Sequence, residues 1–435
     1  MTHGCSNSSQ INLWLSYSKH TLQANHKTTM SNSLPERNEV QYYFGAGPAQ
    51  LPKPVILQLS KDIVNINNQG IGIGEISHRS KLAQDIIDTT KGNLYKLLSN
   101  NGKLDIDQIK SEYDVFFLQG GGTTGFSSIP LNLKNLDKAE NKKGGYLITG
   151  SWSLKSYQEA KRLGCDAVPL YNDKETNGTF KGGYTGDYNA LLSQHKDLSY
   201  VYICENETVN GIEFDESLQE LAKVCKEKNI ELIADLSSDI FSREINIFDY
   251  GVIMAGAQKN IGIAGLTLYI VKKSLLNNIK NNGDVEELPI AFDWNLQNEN
   301  NSCYNTIPMV PLHTLNLVFD HLLHNGGIGA QEKINIEKAD KLYSVLDKYS
   351  LEGDNEKKFV KLTVSKQFRS KMNVVFNLKT TDLENDFVKK AESKGFSAVK
   401  GHRSVGGIRV SIYNAVKLEA VESLIKFIEE FAEQL

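Results

Sequence analysis

The sequence predicts an α/β protein whose large domain has a mainly parallel sheet covered by helices, with a smaller α+β C-terminal domain. From about residue 53 to 333, apolar strand-like runs alternate with amphipathic helical patterns, as expected for successive βαβ units. Strand-like runs then recur near 372–378 and 407–412, with helical patterns at 383–394 and 417–434. A chain of 435 residues, 40% of them hydrophobic, can bury a large core.

Charge and cysteine content exclude several classes. Lys plus Arg number 48 and Asp plus Glu 52, so the net charge of −4 predicts neither a nucleic-acid-binding nor a membrane surface. No apolar run approaches the 18 or so residues of a membrane-spanning helix. The five cysteines are odd in number and lack CxxC spacing, which indicates neither a disulfide framework nor a zinc site. We expect no metal and a reducing compartment.

Residues 1–40 differ from the rest of the chain. They are rich in Ser, Asn and Thr, and no acidic residue precedes Glu36. Lack of acid is typical of organelle transit peptides, but the first arginine is Arg37. A disordered extension, or translation beginning at Met30, explains the composition equally well. We expect a cytoplasmic protein, with an organelle as the alternative if the segment is a transit peptide.

The first candidate site element is a glycine-rich loop, FLQGGGTTGFSS. A strand predicted at 115–118 leads into Gly120, Gly121 and Gly122, and a helix is predicted to begin at Thr123 or Thr124. Backbone N–H groups of bare glycines and a helix N-terminus can bind a phosphate. Because the loop lacks the GxGxxG and GxxxxGK[ST] spacings, it is weak evidence alone.

Two further strand ends carry candidate ligand residues. Trp152 follows the run YLITGS, where its indole either lies on an aromatic cofactor ring or anchors the start of a helix in the core. Thr208 follows a strand predicted at 200–204 and is placed to reach a hydroxyl on such a ring.

The run IELIAD ends at Asp235, followed by Ser237 and Ser238. An aspartate at the carboxyl end of a buried parallel strand faces the crevice where α/β proteins bind ligands. If the ligand is pyridoxal phosphate, the carboxylate pairs with the pyridinium nitrogen and keeps the ring electron-withdrawing. The alternative is a helix N-cap or a turn residue.

Lys259 stands between two apolar runs in YGVIMAGAQKNIGIAG. The small residues around it, Ala255, Gly256, Ala257, Gly262 and Gly265, would let a flat ligand approach the ammonium closely. A desolvated lysine can be neutral near pH 7 and form a Schiff base with an aldehyde cofactor. A solvated lysine at a strand end is the alternative.

A cluster of cations occurs near the C-terminus in KGHRSVGGIR. Lys400, His402, Arg403 and Arg409 lie within ten residues of one another in a chain of slightly negative net charge. Guanidinium groups suit both phosphates and carboxylates, so the cluster predicts anionic substrates. A solvated basic turn remains the alternative.

Several longer strings together resemble one family. ISHRS, LQGGG, the NET turn, ADLSS, GVIMAGAQKNIG, the pair Asn305–Thr306 and KGHRSVGGIRVSIYNA look like phosphoserine aminotransferases, which are class V, fold type I pyridoxal-phosphate enzymes. The resemblance runs from about Tyr43 to the C-terminus. It implies transamination between O-phospho-L-serine and 2-oxoglutarate, and 3-phosphohydroxypyruvate and L-glutamate, by a ping-pong mechanism in L-serine biosynthesis.

The resemblance assigns cofactor roles to residues of this chain. Lys259 would form the Schiff base and move the substrate proton, and Asp235 would hold the pyridinium nitrogen. The other cofactor-binding positions implied are Trp152 for stacking, Thr208 for the ring hydroxyl, Gly122, Thr123 and Gln258 for the phosphate, and Asn305 and Thr306 contributed by the partner subunit of a homodimer.

Substrate binding is implied for a second set. Arg409 would bind the substrate carboxylate, while His78, Arg79, His402 and Arg403 would bind substrate and phosphate ester between the subunits. The resemblance also joins residues 41–52 to the small domain, 334–435, and leaves 53–333 as the cofactor-binding domain, with the active site between them.

Two departures from the family pattern stand out. Bacterial members commonly have an arginine after the GGG string, where this chain has Thr123 and Thr124. The familiar NTPP string is altered to NTIPMVP, with Ile307 after Thr306. Other class V enzymes, such as an alanine:glyoxylate aminotransferase or a cysteine desulfurase, and a non-catalytic nucleotide-binding protein remain alternatives.

Overall fold

The computed structural model describes residues 42–134, 136, 143–282 and 288–435. The expected N-terminal extension, residues 1–40, lies outside the described residues. Within these ranges, no helix combines the length and apolar character that crossing a membrane requires.

Helices and strands alternate along most of the chain. The strands are β1 Tyr42–Tyr43, β2 Tyr113–Gly120, β3 Lys143–Ile148, β4 Ala167–Asn172, β5 Leu198–Cys204, β6 Asn206–Glu207, β7 Ile212–Glu213, β8 Glu231–Asp235, β9 Val252–Gly256, β10 Gly265–Lys272, β11 Val360–Lys361, β12 Asn373–Leu378, β13 Phe396–Ser397 and β14 Ile408–Ser411. The helices are α1 Lys53–Asn65, α2 Lys81–Leu98, α3 Ile106–Glu112, α4 Gly122–Leu133, α5 Ser151–Arg162, α6 Asp173–Asn177, α7 Tyr188–Ser193, α8 Ser217–Glu227, α9 Lys273–Asn282, α10 Trp294–Glu299, α11 Met309–His324, α12 Gly327–Lys348, α13 Thr381–Ser393 and α14 Leu418–Glu433.

A seven-stranded sheet, in the order β2-β10-β9-β8-β5-β3-β4, forms the centre of the large part. The pairs among β9, β8, β5, β3 and β4 are all parallel. Only β10 among these strands runs against its neighbours, pairing antiparallel with both β2 and β9. The predicted mainly parallel α/β sheet is therefore confirmed.

Helices cover both faces of this sheet. Val115 and Phe117 pack into the cluster that contains α2, α8 and α11, whereas Phe116 and Leu118 pack into the cluster that contains α4, α5 and α10. Successive side chains of a strand point to opposite faces, so a strand covered on both sides is apolar throughout. The uninterrupted run VFFL is explained by this burial.

On each outer strand of the sheet, at least one backbone position cannot pair with a further strand. On β2, the backbone N–H of Phe117 donates to the Ser302 hydroxyl at 2.9 Å, so a neighbouring loop occupies that edge. On β4, the pairing with β3 is irregular between Tyr146 and Leu147, beside Pro169. Proline has no N–H to donate to a further strand.

The C-terminal part has its own core. A three-stranded sheet, β11-β12-β14, packs with α12, α13 and α14 around Phe376, Phe387, Ile408, Leu424 and Phe431. β1 pairs in parallel with β13, which joins the segment near residue 42 to this part. A separate core supports the division into 53–333 and 41–52 with 334–435, which stays a prediction; its boundary at 333/334 falls inside the 22-residue helix α12.

Candidate active site

The residues singled out in the sequence follow the carboxyl ends of neighbouring strands. β2 ends at Gly120, β3 at Ile148, β5 at Cys204, β8 at Asp235 and β9 at Gly256. These strands share one direction, so their ends meet at one edge of the sheet, where open α/β sheets bind ligands. The fold thereby gathers separate sequence motifs into one crevice.

Lys259 lies in the loop between β9 and β10. Its Nζ donates to Thr208 Oγ1 at 2.7 Å and lies 5.5 Å from the centre of the Trp152 ring. The backbone near residue 47 approaches from the other side, and a Cβ at Gly47 (φ 130°) would lie 3.2 Å from Lys259 Cγ. Lys259, Thr208 and Trp152 are thus brought together, and the N-terminal segment at Gly47 joins them.

Asp235 is fixed by its neighbours. The side chain is 4% exposed, and its Oδ1 accepts hydrogen bonds from Ser237 N at 2.9 Å and Ser237 Oγ at 2.5 Å. Ser237 Oγ in turn accepts a bond from Gly256 N at 2.9 Å. A buried carboxylate held by donors in this way suits a protonated ring nitrogen as its ionic partner.

A cradle for an anion forms where α4 begins. Backbone N–H groups in the first turn of α4 have no partner within the helix. A Cβ at Gly256 would lie 2.9 Å from Gln258 Oε1 and 3.3 Å from Gly122 N, so the backbone of Gly256 closely approaches the start of α4. Within the described residues, Gln258 Oε1 is buried without a hydrogen-bond partner. The free helix N–H groups, with the Gln258 amide nitrogen near Gly121 and Gly256 as a further donor, fit the phosphate of pyridoxal phosphate.

Thr123 lies in this first turn, and the predicted helix start at Thr123 or Thr124 differs from the observed start by one or two residues. The difference arises because Thr124 Oγ1 accepts a bond from Gly121 N at 3.0 Å, which lets Gly122 begin the helix.

Glu207 was not predicted, yet it positions Trp152. Its carboxylate is fully buried and accepts bonds from Trp152 N at 2.8 Å, Ser153 N at 2.7 Å and Ser153 Oγ at 2.6 Å. These bonds cap the N-terminus of α5, although burial raises the pKa of Glu207. Within the described chain, Trp152 Nε1 is buried and unpartnered. The only sequence signal was the acid beside Thr208 in the NET string.

Positive charges gather around His402, and one of them, Lys155, contacts the Trp152 ring. Arg409 on β14 is half-buried, and burial lowers the pKa of its guanidinium. The pKa of His402 is lowered by burial and by the positive charges of Arg409, Lys155 and Arg403, which therefore lie near it. None of these four residues forms an ion pair with a described carboxylate. Lys155 was not among the predicted residues.

Four predicted residues lie apart from this group. Asn305 and Thr306 are exposed, and the Thr306 carbonyl accepts a bond from Gln119 Nε2 at 2.6 Å. His78 and Arg79 precede α2, and His78 Nε2 is buried without a partner among the described residues. None of their side chains hydrogen-bonds to Lys259, Thr208, Asp235 or Trp152.

Asn260 and Asn414 link the loop that carries Lys259 to the segment after β14. Asn260 Oδ1 accepts a bond from Asn414 N at 3.0 Å, and Asn260 Nδ2 donates to the Ile240 carbonyl at 2.7 Å. Asn414 Nδ2 donates to the Phe241 carbonyl at 2.8 Å. The pair fixes Lys259 relative to the strand that carries Arg409, and its only signal was membership of the AGAQKN and SIYN strings.

Known proteins resemble this chain over nearly its whole length. The class V aminotransferase family model matches residues 41–424. A Saccharomyces cerevisiae protein named phosphoserine aminotransferase is 50% identical, covering 92% of this chain and 99% of its own length. The solved phosphoserine aminotransferase of Bacillus circulans is 32% identical with a TM-score of 0.78, covering 91% of this chain and 99% of that one. The alanine–glyoxylate aminotransferase of Nostoc, at 13% identity and a TM-score of 0.69, shares the fold.

Proposed function

Because this chain belongs to the phosphoserine aminotransferases, within the class V aminotransferase family, we propose that its residues serve the following roles in that reaction. The enzyme is a pyridoxal-phosphate-dependent transferase of fold type I. The reaction interconverts 3-phosphohydroxypyruvate plus L-glutamate with O-phospho-L-serine plus 2-oxoglutarate in L-serine biosynthesis, in two half-reactions. The observation that carries the residue assignment is the group of cations around His402 without a described carboxylate partner, one of which, Lys155, contacts the same Trp152 ring that Lys259 approaches.

Cofactor binding is assigned to the crevice residues. Lys259 would hold pyridoxal phosphate covalently, Asp235 would pair with its ring nitrogen, Thr208 would bind its ring hydroxyl and Trp152 would cover its ring. Gly122, Thr123 and Gln258 would bind its phosphate. When bound, the cofactor supplies an electron-withdrawing ring that stabilises negative charge at the substrate Cα.

Lys259 also moves the substrate proton. Its Nζ already faces Thr208 Oγ1 at 2.7 Å, which orients the amine in the crevice. With the cofactor and substrate bound, this amine would be the group placed to take the proton from the substrate Cα. Fixed donors and acceptors around Asp235 and Glu207 keep the other groups in place while the proton moves.

Substrate recognition is assigned to the cations. Arg409 binds the α-carboxylate that all four substrates share. His402 and Arg403 bind the second anionic group, which is a phosphate in one pair of substrates and a carboxylate in the other. In a homodimer, His78, Arg79, Asn305 and Thr306 of each subunit complete the other subunit's site, which accounts for their position apart from Lys259. We place the enzyme in the cytoplasm.

None of the described cysteines is suited to act as the nucleophile that a cysteine desulfurase requires. Cys165, Cys204 and Cys225 are buried, and burial raises the pKa of each thiol. Cys303 is half-buried, and burial raises its pKa as well. A cysteine that transfers sulfur needs an accessible thiolate.

The decisive test is a titration of the purified, cofactor-loaded protein with O-phospho-L-serine, L-alanine or L-serine. We expect the visible absorbance of the lysine-bound cofactor to fall with O-phospho-L-serine alone and to return when 2-oxoglutarate is added. This result would demonstrate both half-reactions and the need for the phosphate. Loss of absorbance with L-alanine but not with O-phospho-L-serine would keep the cofactor assignment and reject the substrate.

A further inference from the structure

We propose that Lys155 is a substrate-specificity residue whose ammonium ion binds the phosphate of O-phospho-L-serine and favours it over the γ-carboxylate of L-glutamate. This inference rests on the proposed function and extends its substrate site by a residue that the sequence motifs do not mark.

The position of Lys155 follows from the start of α5. Lys155 comes three residues after Trp152, so both side chains lie on one side of the helix. Its Nζ lies 4.2 Å from the centre of the Trp152 ring, within the range of a cation–π contact. The Lys259 Nζ lies 5.5 Å from the same ring. Lys155 and Lys259 therefore both lie near one indole, and Lys155 itself is exposed to an incoming ligand.

The charges around Lys155 are unbalanced. Lys155, Arg403 and Arg409 all act on His402, and the described residues give none of the four a carboxylate partner. At the other end of the same helix, by contrast, Arg162 donates to Glu159. Like charges held together are unfavourable unless an anion neutralises them. A concentration of positive charge at this point therefore indicates a ligand with more than one negative charge.

The two amino-acid substrates, O-phospho-L-serine and L-glutamate, differ in the negative charge of their side chains. A phosphate monoester carries about −1.5 to −2 charges at pH 7, whereas a γ-carboxylate carries −1. Coulomb attraction is proportional to charge, so an added cation stabilises the phosphate more. An ammonium ion is a compact point charge that suits a phosphate without the paired geometry a guanidinium needs. The contact with Trp152 also restricts the lysine chain, which reduces the entropy lost on binding.

The test compares Lys155→Met with wild type, with Lys155→Arg and with Lys161→Met, an exposed lysine later in the same helix. We expect Lys155→Met to raise KM for O-phospho-L-serine about tenfold and KM for L-glutamate about threefold or less, with kcat nearly unchanged. Lys155→Arg should recover most of the loss, and Lys161→Met should match wild type. Calorimetric titration of each cofactor-loaded protein with inorganic phosphate should show weaker binding only for Lys155→Met.

Different outcomes separate the two proposals. Equal rises in both KM values, or unchanged phosphate binding in Lys155→Met, would overturn the role of Lys155 while leaving the proposed function intact. A wild-type protein that ignores O-phospho-L-serine would overturn the proposed function and the substrate preference with it, even if Lys155→Met weakens phosphate binding.

Discussion

Arg409 is half-buried on β14 and has no carboxylate partner among the described residues. A guanidinium that is partly desolvated and unpaired gains more from an incoming carboxylate than a fully solvated one does. This makes Arg409 the residue on which binding of every substrate should depend most, because all of them carry the same α-carboxylate.

We predict that Arg409→Ala raises KM for both O-phospho-L-serine and L-glutamate by about ten- to a hundredfold, the equivalent of roughly 1.5–3 kcal/mol for a charged hydrogen bond. Steady-state kinetics in both directions would measure it. As a comparison, Arg403→Ala should affect O-phospho-L-serine more than L-glutamate. An unchanged KM for L-glutamate in Arg409→Ala would contradict the role given to Arg409.

For single residues, the sequence predicts position best where strand ends decide it. Asp235 ends a buried strand and Lys259 lies in the loop after another, so their placement at one edge of the sheet could be inferred from parallel strand order. Glu207 and Lys155 could not, because their roles depend on how α5 docks against a distant turn. From sequence alone, Glu207 is interpreted as a turn residue, and only the fold shows that its carboxylate accepts a bond from the start of α5. Lys155 is likewise interpreted as a solvated lysine, and only the fold brings it near His402.

Among the secondary-structure elements, α12 is joined to the segment after β14 by one buried lysine. Lys338 is fully buried, and its Nζ donates to the carbonyls of Ile412 at 2.8 Å, Tyr413 at 2.8 Å and Val416 at 3.0 Å. An ammonium ion has three N–H groups, so these acceptors use all of them. The same segment carries Asn414, which bonds Asn260 next to Lys259.

We therefore expect Lys338→Met to lower the free energy of unfolding by about 2–4 kcal/mol, because three buried carbonyls lose their donor. Urea denaturation of the cofactor-loaded protein would measure the loss. Lys341→Met, one turn along α12, removes only exposed ion pairs with Glu337 and Glu422 and should cost less than about 1 kcal/mol. Equal stability of the two variants would mean that the carbonyls find other donors.

The boundaries of helices and strands were predicted to within a few residues. Whether a strand runs parallel or antiparallel to its neighbours was not predicted for every strand. The helix expected at 383–394 is Thr381–Ser393, since the Thr380 hydroxyl accepts a bond from Leu383 N and starts it earlier. Hydrophobic periodicity identified the run that forms β10, but it does not carry information on direction. The antiparallel placement of β10 comes from the short loop through Lys259, which returns the chain beside β9.

For the whole molecule, the proposed homodimer predicts that two impaired variants restore activity when they are combined, which sites built from one subunit alone would not allow. Lys259 and Asn305 belong to different active sites of a dimer if each subunit completes the other. Lys259→Ala and the double variant Asn305→Ala/Thr306→Ala should then each be impaired alone. Refolded together, they should form mixed dimers in which one site has only native residues.

We expect equimolar refolding to recover about a quarter of the wild-type activity, since half of the dimers are mixed and each has one intact site. The control pairs Lys259→Ala with Asp235→Ala, which lie in the same site and should give no recovery. Activity no higher than that of the separate variants would argue against shared sites.

Phe117 and Pro169, on the two outer strands of the central sheet, bear on how this chain behaves at high concentration. An open strand edge is a template on which another chain can add a strand, leading to aggregates. Ser302 occupies the free N–H of Phe117 on one edge, and Pro169 removes a donor from the other. Substituting Pro169 by valine would restore that donor, so loss of solubility during expression, rather than loss of catalysis, is the damage we associate with that position.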